Sequence, residues 1–184
     1  MGIPGGYTSA QVVQAVPTGI NSALVLISST TIGTAVTSVA LTNIFSATYE
    51  NYRIILSGGT ASATSDGSFI LGATTTGYYQ AFIYNGYVSP YTVFGTGATN
   101  TANSGTVFAY STNGINGVLD IFSPFSTART AFHHYAATLA TTGNRWSGGG
   151  FQDSATSFTG MTFSTQSGHT LTGGTIKVYG YTNS

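Results

Sequence analysis

Short runs of β-branched and aromatic residues, cut off again and again by glycine- and asparagine-containing turn signals, leave this chain little choice but an antiparallel β fold. The runs are Ala23–Ser28, Ala35–Thr42, Tyr52–Ser57, Ser68–Gly72, Tyr78–Tyr84, Thr106–Ser111, Val118–Phe122, Ala131–Leu139, Phe158–Phe163 and Thr175–Tyr181. Several alternate in the period of a strand: Tyr52, Ile54 and Leu56 fall on one face, Arg53, Ile55 and Ser57 on the other. Between the runs stand Gly58-Gly59, Asn85-Gly86, Asn113-Gly114, Asn116-Gly117, Gly143-Asn144, Gly148-Gly149-Gly150 and Gly173-Gly174, residues that accept a positive φ. Asn85-Gly86, between two tyrosine-rich stretches, predicts a hairpin. A helix is predicted only over Thr8–Val16, capped by Thr8 or Ser9 and stopped by Pro17. About ten short strands of irregular spacing point to a β-sandwich or jelly roll. A β-helix suits the low charge and the abundant Thr, Ser and Gly equally well, but not the irregular turn spacing; no fixed repeat suggests a propeller or solenoid.

Length and composition divide the chain into two parts. Residues 23–184 suffice for one sandwich domain with a sizeable core. Residues 1–22 are punctuated by Gly and Pro and poor in large apolar groups; they read as an N-terminal docking arm whose small apolar face is Val12, Val13 and Val16. Gly95–Gly105 and Gly58–Gly67 are expected to be flexible polar loops within the domain.

Charge narrows the function. Only 4% of the residues are charged, four of each sign, against about 25% in ordinary soluble domains. Without clustered Lys and Arg no nucleic acid or anionic membrane surface is expected as a partner. The apolar share of 41%, with 13% aromatic, argues against disorder. No Cys means no disulfide, no thiolate nucleophile and no Cys-based zinc or iron–sulfur site. Met1–Tyr7 has neither the basic nor the apolar region of a secretion signal, and the longest apolar run, Ala23–Ile27, is far too short to span a bilayer. Charged residues are depleted and aromatics enriched at the cores of interfaces, so the same composition predicts a homo-oligomer. Tyr78, Tyr79, Tyr84, Tyr87, Tyr91, Tyr110, Tyr179 and Tyr181 suit half-buried interface positions.

Candidate chemistry is sparse. His133 and His134 are adjacent in a predicted strand and point to opposite faces, so they do not share one metal ion readily. His169 with one of them would still need Glu50, Asp66, Asp120 or Asp153, none at a metal-ligand spacing; the expectation is no metal and no cofactor, with one inward, hydrogen-bonded His and one exposed. No nucleophile elbow, zinc-protease or phosphate-loop pattern occurs, and the four scattered acids do not suggest a glycosidase pair, so no catalytic residue is expected. The most ligand-like stretch is Arg145-Trp146-Ser147-Gly148-Gly149-Gly150-Phe151-Gln152-Asp153, read as a glycine-freed loop. There Trp146 would offer a stacking platform to a sugar ring, and Arg145, Gln152 and Asp153 its hydrogen-bonding groups. The simpler reading packs this sole Trp at one end of the sandwich.

Three segments look familiar in combination. They are Thr30–Val39 running on through Phe45–Ile55, then Leu71–Tyr79, and finally Gly173–Tyr181. In this order they resemble a β-sandwich module of structural proteins of tailed bacteriophages, particularly phages of aquatic bacteria, over roughly residues 23–184. The module occurs as a small stand-alone virion protein or as the distal domain of longer fibres, and carries no active-site residues. The resemblance implies a virion component made in the host cytoplasm and exposed on the particle surface, usually oligomeric, with a trimer expected first. The leading expectation is a capsid decoration (cement) protein whose partners are its own copies and the major capsid protein. The alternative is a receptor-binding tip of a tail or head fibre that recognises host glycan.

Overall fold

The computed structural model describes residues 23–182. The docking arm with Val12, Val13 and Val16, and the helix expected over Thr8–Val16, lie outside the described residues. The strands are β1 (Leu24–Thr31), β2 (Ser38–Leu41), β3 (Asn51–Gly58), β4 (Thr60–Ala61), β5 (Ser65–Leu71), β6 (Tyr78–Gly86), β7 (Val93–Thr101), β8 (Phe108–Ser111), β9 (Gly114–Phe122), β10 (Thr130–Ala137), β11 (Asn144–Gln152), β12 (Met161–Thr165), β13 (Leu171–Thr172) and β14 (Thr175–Tyr181). Each of the ten predicted runs contributes a strand, every pairing is antiparallel, and the described residues form no helix.

The strands make two layers of unequal width. The wide layer runs β1-β14-β3-β9-β10-β11-β6-β7, and the narrow one β2-β12-β5-β8. They join at β9. One edge of β9 pairs with β3 from Ile115 to Phe122; the other pairs with β8 from Gly114 to Asn116 and with β10 from Val118 to Phe122. Gly117 stands where the partner changes. A Cβ there would come 2.7 Å from the Phe108 Cβ, so only glycine lets β8 peel away this close to β9. β4 and β13 form a separate small ribbon.

The core lies between the layers. Tyr52, Ile54 and Leu56 of β3, Leu119 and Ile121 of β9, and Ile176 and Val178 of β14 face inward from the wide layer, as the alternating pattern requires. Phe69 of β5 meets them from the narrow layer. Its ring centre lies 5.1 Å from Phe132 of β10, 6.1 Å from Tyr78 of β6 and 6.3 Å from Phe163 of β12, all edge-on contacts. The buried tyrosines satisfy their polar tips locally. Tyr52 donates to the Ser46 carbonyl at 2.9 Å and accepts from the Ser46 N–H at 2.8 Å, while the Tyr78 hydroxyl accepts from the Leu71 N–H at 2.6 Å.

Four expectations are corrected. Gly95–Gly105 is not a flexible loop: it holds most of β7, paired with β6 from Val93 to Thr101. Residues 58–67 likewise contain β4 and the start of β5. Arg145–Gln152 is strand β11, between β10 and β6, rather than a glycine-freed loop. The β6–β7 hairpin exists, but Asn85-Gly86 ends β6 and the connection is the longer segment 87–92. The glycines of β11 are there for clearance. A Cβ on Gly150 would overlap the Tyr79 carbonyl and lie 2.8 Å from the Gln80 Cα and 2.9 Å from Phe132 Cζ.

Gly150→Ala should therefore lower stability by about 1–3 kcal/mol, the usual cost of overpacking. Gly95→Ala on β7, where an added Cβ meets nothing within 4 Å, should stay within about 0.5 kcal/mol of the parent. Urea unfolding of both variants beside the parent reads the difference.

Candidate functional site

The narrow layer does not cover the whole inner face of the wide one. One cross-strand row shows the gradient: Ala136 on β10 is 0% exposed, its β11 neighbour Trp146 7%, Tyr84 on β6 is half-buried, and Phe94 on β7 is 48% exposed. Tyr84 and Phe94 stack on each other at 5.2 Å and 21° at this uncovered margin. On the opposite face of the same strands Ile83 is 52% and Val93 62% exposed. The connecting segment adds Tyr87, Val88 and Tyr91, the last 71% exposed. The β6–β7 margin thus carries large apolar side chains on both faces and at its tip. No charged residue and no His occurs between Asp66 and Asp120, so nothing in the hairpin's own sequence offsets this character.

The residues expected to hold a sugar are dispersed. Trp146 packs inward with Ala109 and Ala136, against Phe82 and Tyr84, and offers no open platform. Gln152 points to the same inner face roughly 20 Å further along β11, at about 3.3 Å per residue. It is fully buried, donating through Nε2 to the Thr76 carbonyl at 3.1 Å and accepting from the Ser154 N–H at 2.7 Å. Arg145 is exposed and donates to Asn85 Oδ1 at 2.7 Å. Asp153 pairs with Arg129, Oδ1 to Nε 2.5 Å.

A different aromatic platform lies on the outer face of the wide layer. Tyr79 and Phe151, directly opposed on β6 and β11, stack at 4.9 Å and 6°. The Arg129 guanidinium sits 5.5 Å over the Phe151 ring and ties back to Asp153. Beside the stack is an open groove of about 320 Å³ bordered by Gln80, Ala98, Thr99 and the side-chain-free Gly149 and Gly150. Of these residues Phe151, Asp153 and the two glycines belonged to the stretch singled out by sequence, though Phe151 was given no role there. The pairing of Tyr79 with Phe151 has no sequence signal, because it depends on which strands become neighbours. A second cleft, of about 290 Å³, lies between Tyr49, Glu50, Ser123 and Phe125.

The polar groups split between the faces. Arg53 donates to both oxygens of Asp120, at 2.8 and 2.7 Å, and the Tyr181 hydroxyl donates to Asp120 Oδ1 at 2.8 Å. Burial pulls the Asp120 carboxyl upward, but the Arg53 and Tyr181 hydrogen bonds and the Arg53 charge outweigh it and hold it below its ordinary value. Asp66 is shifted the opposite way, raised by burial despite the 2.9 Å hydrogen bond from Thr106. His133 and His134 do point to opposite faces, the first exposed and the second 1% exposed. His134 is not the hydrogen-bonded inward histidine that was expected, since neither ring nitrogen has a partner. Its ring instead meets Phe82 edge-on at 6.1 Å. Among the described residues no three His, Asp or Glu side chains come together as metal ligands would, and no helix is long and apolar enough to cross a membrane.

No protein-family model, no curated protein and no solved structure matches this chain.

Burial, aided by the neighbouring His133, pushes the His134 pKa down from 6.5 to about 4. Between those values the unfolded chain takes up a proton that the folded chain refuses, so stability falls as pH drops from about 6.5 to 4 and levels off below. The full loss is on the order of 3 kcal/mol at about 1.4 kcal/mol per pH unit. His134→Leu should remove this component: the difference in unfolding free energy between parent and variant should change with pH across that window and be constant above pH 7. A parallel pair of stability–pH curves would show that His134 does not titrate this way.

Proposed function

We propose that this chain is a bacteriophage virion structural protein, without enzymatic activity, that self-associates and binds the assembled head as a decoration (cement) protein. One observation carries the reading: a nearly uncharged sandwich presents a large apolar margin at β6–β7, on a domain whose three quoted segments resemble virion sandwich modules. A cement protein works by covering joints between capsomers, a task of shape and apolar contact. Residues 1–22 supply the docking arm, with the major capsid protein as the partner.

A second reading is a receptor-binding tip that takes host glycan. The Tyr79–Phe151 stack with Arg129 and Asp153 favours it, since an aromatic face beside planar hydrogen-bonding groups suits a sugar ring. Tyr79 is the residue to test for this, because Trp146→Ala would empty a packed position at about 3–5 kcal/mol and mimic a binding defect.

Imaging particles stripped of the protein and then reloaded should show new density on the head shell. With net charge near zero, raising NaCl to molar concentration should leave that density in place. Density confined to a tail or fibre end, together with loss of host-cell adsorption in a folded Tyr79→Ala variant, would select the receptor-binding reading. Release by moderate salt would mean that charge pairing, rather than apolar contact, holds the protein.

A further inference from the structure

We infer that β7 is a self-association seam, and that two copies of this chain pair their β7 strands antiparallel across a two-fold axis so that the wide layer continues from one subunit into the other. The inference rests on the self-association part of the proposed function and not on its placement on a virion.

Among the described residues β7 is the last strand of the wide layer and pairs only with β6. From Val93 to Ala98 its register is regular; the irregularity comes later, where Tyr78 and Gln80 pair with Thr101 and Ala98. An edge of this length is a template for another strand. Proteins that remain monomeric usually blunt such edges with charge, proline or a bulge. The run Val93–Ala98 contains none of these. The other end of the layer differs: β1 has its register shift inside the strand, between Leu26 and Ser28, which breaks the regularity of that edge.

The identity of the occupant follows from charge and area. Across a two-fold axis each residue meets its own kind or a near neighbour, so any charged residue at the seam would face a like charge. The stretch from Gly67 to Leu119 holds no charged side chain, and Gly95, Thr96, Gly97 and Ala98 are small enough for close backbone approach. Around the seam, Ile83, Tyr87, Val88, Tyr91, Val93 and Phe94 leave on the order of 600 Å² of side chain uncovered, judged from their fractional exposures. With the β7 main chain this comes near the roughly 800 Å² per partner of a stable interface. An isologous seam makes pairs, so it predicts a dimer or an assembly of dimers in place of the trimer implied by the resemblance.

The test is a charge swap at Thr96, which is exposed and sits mid-run. The full-length parent should sediment as a dimer or a multiple of it at about 50 µM, well above the dissociation constant of a standard interface. Thr96→Glu and Thr96→Lys, each alone, should weaken association at least about tenfold through like-charge opposition, with unchanged near-UV circular dichroism. Mixing the two variants should restore the dimer as a Glu–Lys heterodimer. Three results would overturn the inference: a monomeric parent at that concentration, variants that assemble like the parent, or a mixture no better associated than its components. The last would show that β7 pairs with something other than another β7. None of these depends on particles, so loss of the seam and loss of the cement reading remain distinguishable.

Discussion

An eight-strand sheet cannot be covered by a four-strand one, and most of what is distinctive in this molecule follows from that mismatch. The narrow layer seats Phe69, Phe108 and Phe163 against the wide layer where β3, β9 and β10 lie, and there burial is complete. The apolar effect does the binding of the layers, at about 25 cal/mol per Å² removed from water, and edge-on ring contacts fix how they interlock. Outward from β10 the cover thins. Trp146 is still inside, Tyr84 half inside, and Phe94 largely outside. The same residue types thus serve as core at one side of the sheet and as surface at the other.

With so few charges, the polar work of the fold falls to hydroxyls and amides. Ser104 both donates its N–H to the Phe69 carbonyl at 3.0 Å and accepts the Phe69 N–H on its Oγ at 2.9 Å, so the segment after β7 closes on β5 as a strand would. Ser111 and Asn113 tie the β8–β9 turn to the Leu139 carbonyl. Four of the eight charges pair with one another, Arg53 with Asp120 across β3 and β9, and Arg129 with Asp153 beside the ends of β10 and β11. Partly exposed pairs of this kind contribute no more than about 1 kcal/mol each. Their value is in register, because Arg53 and Asp120 are directly opposed on β3 and β9. His134 is one of the exceptions, a buried polar ring left without a hydrogen-bond partner beside Phe82.

These features suit a protein that works by contact. A surface poor in charge neither attracts nor repels at long range, so any contact it makes rests on shape, apolar area and backbone pairing. The β6–β7 margin has all three. The Tyr79–Phe151 stack on the outer face is a separate resource, close to β7 yet built from β6 and β11. The groove beside it is bordered by Ala98 and Thr99 of β7, so it adjoins the β6–β7 margin and shares Ala98 with the run Val93–Ala98.

The sequence by itself determined that the fold is all-β and antiparallel, where ten of its strands lie, and which residues of β3 share a face. Alternation and turn chemistry are local, and they survive in any arrangement of neighbours. It also determined the opposed directions of His133 and His134, which follow from the pleat alone. What it could not give is which strands become neighbours. β11 was hidden because Gly148-Gly149-Gly150 has the composition of a turn, and only the closeness of Tyr79 and Gln80 on one side and Phe132 and His133 on the other makes those glycines a necessity in mid-sheet. β7 was hidden because an edge strand exposed on both faces has no reason to alternate. The two layers' unequal widths, the inward packing of Trp146 and the pairing of Tyr79 with Phe151 were likewise decided only in the tertiary structure, since burial is a property of what lies opposite a residue and not of the residues beside it in the chain.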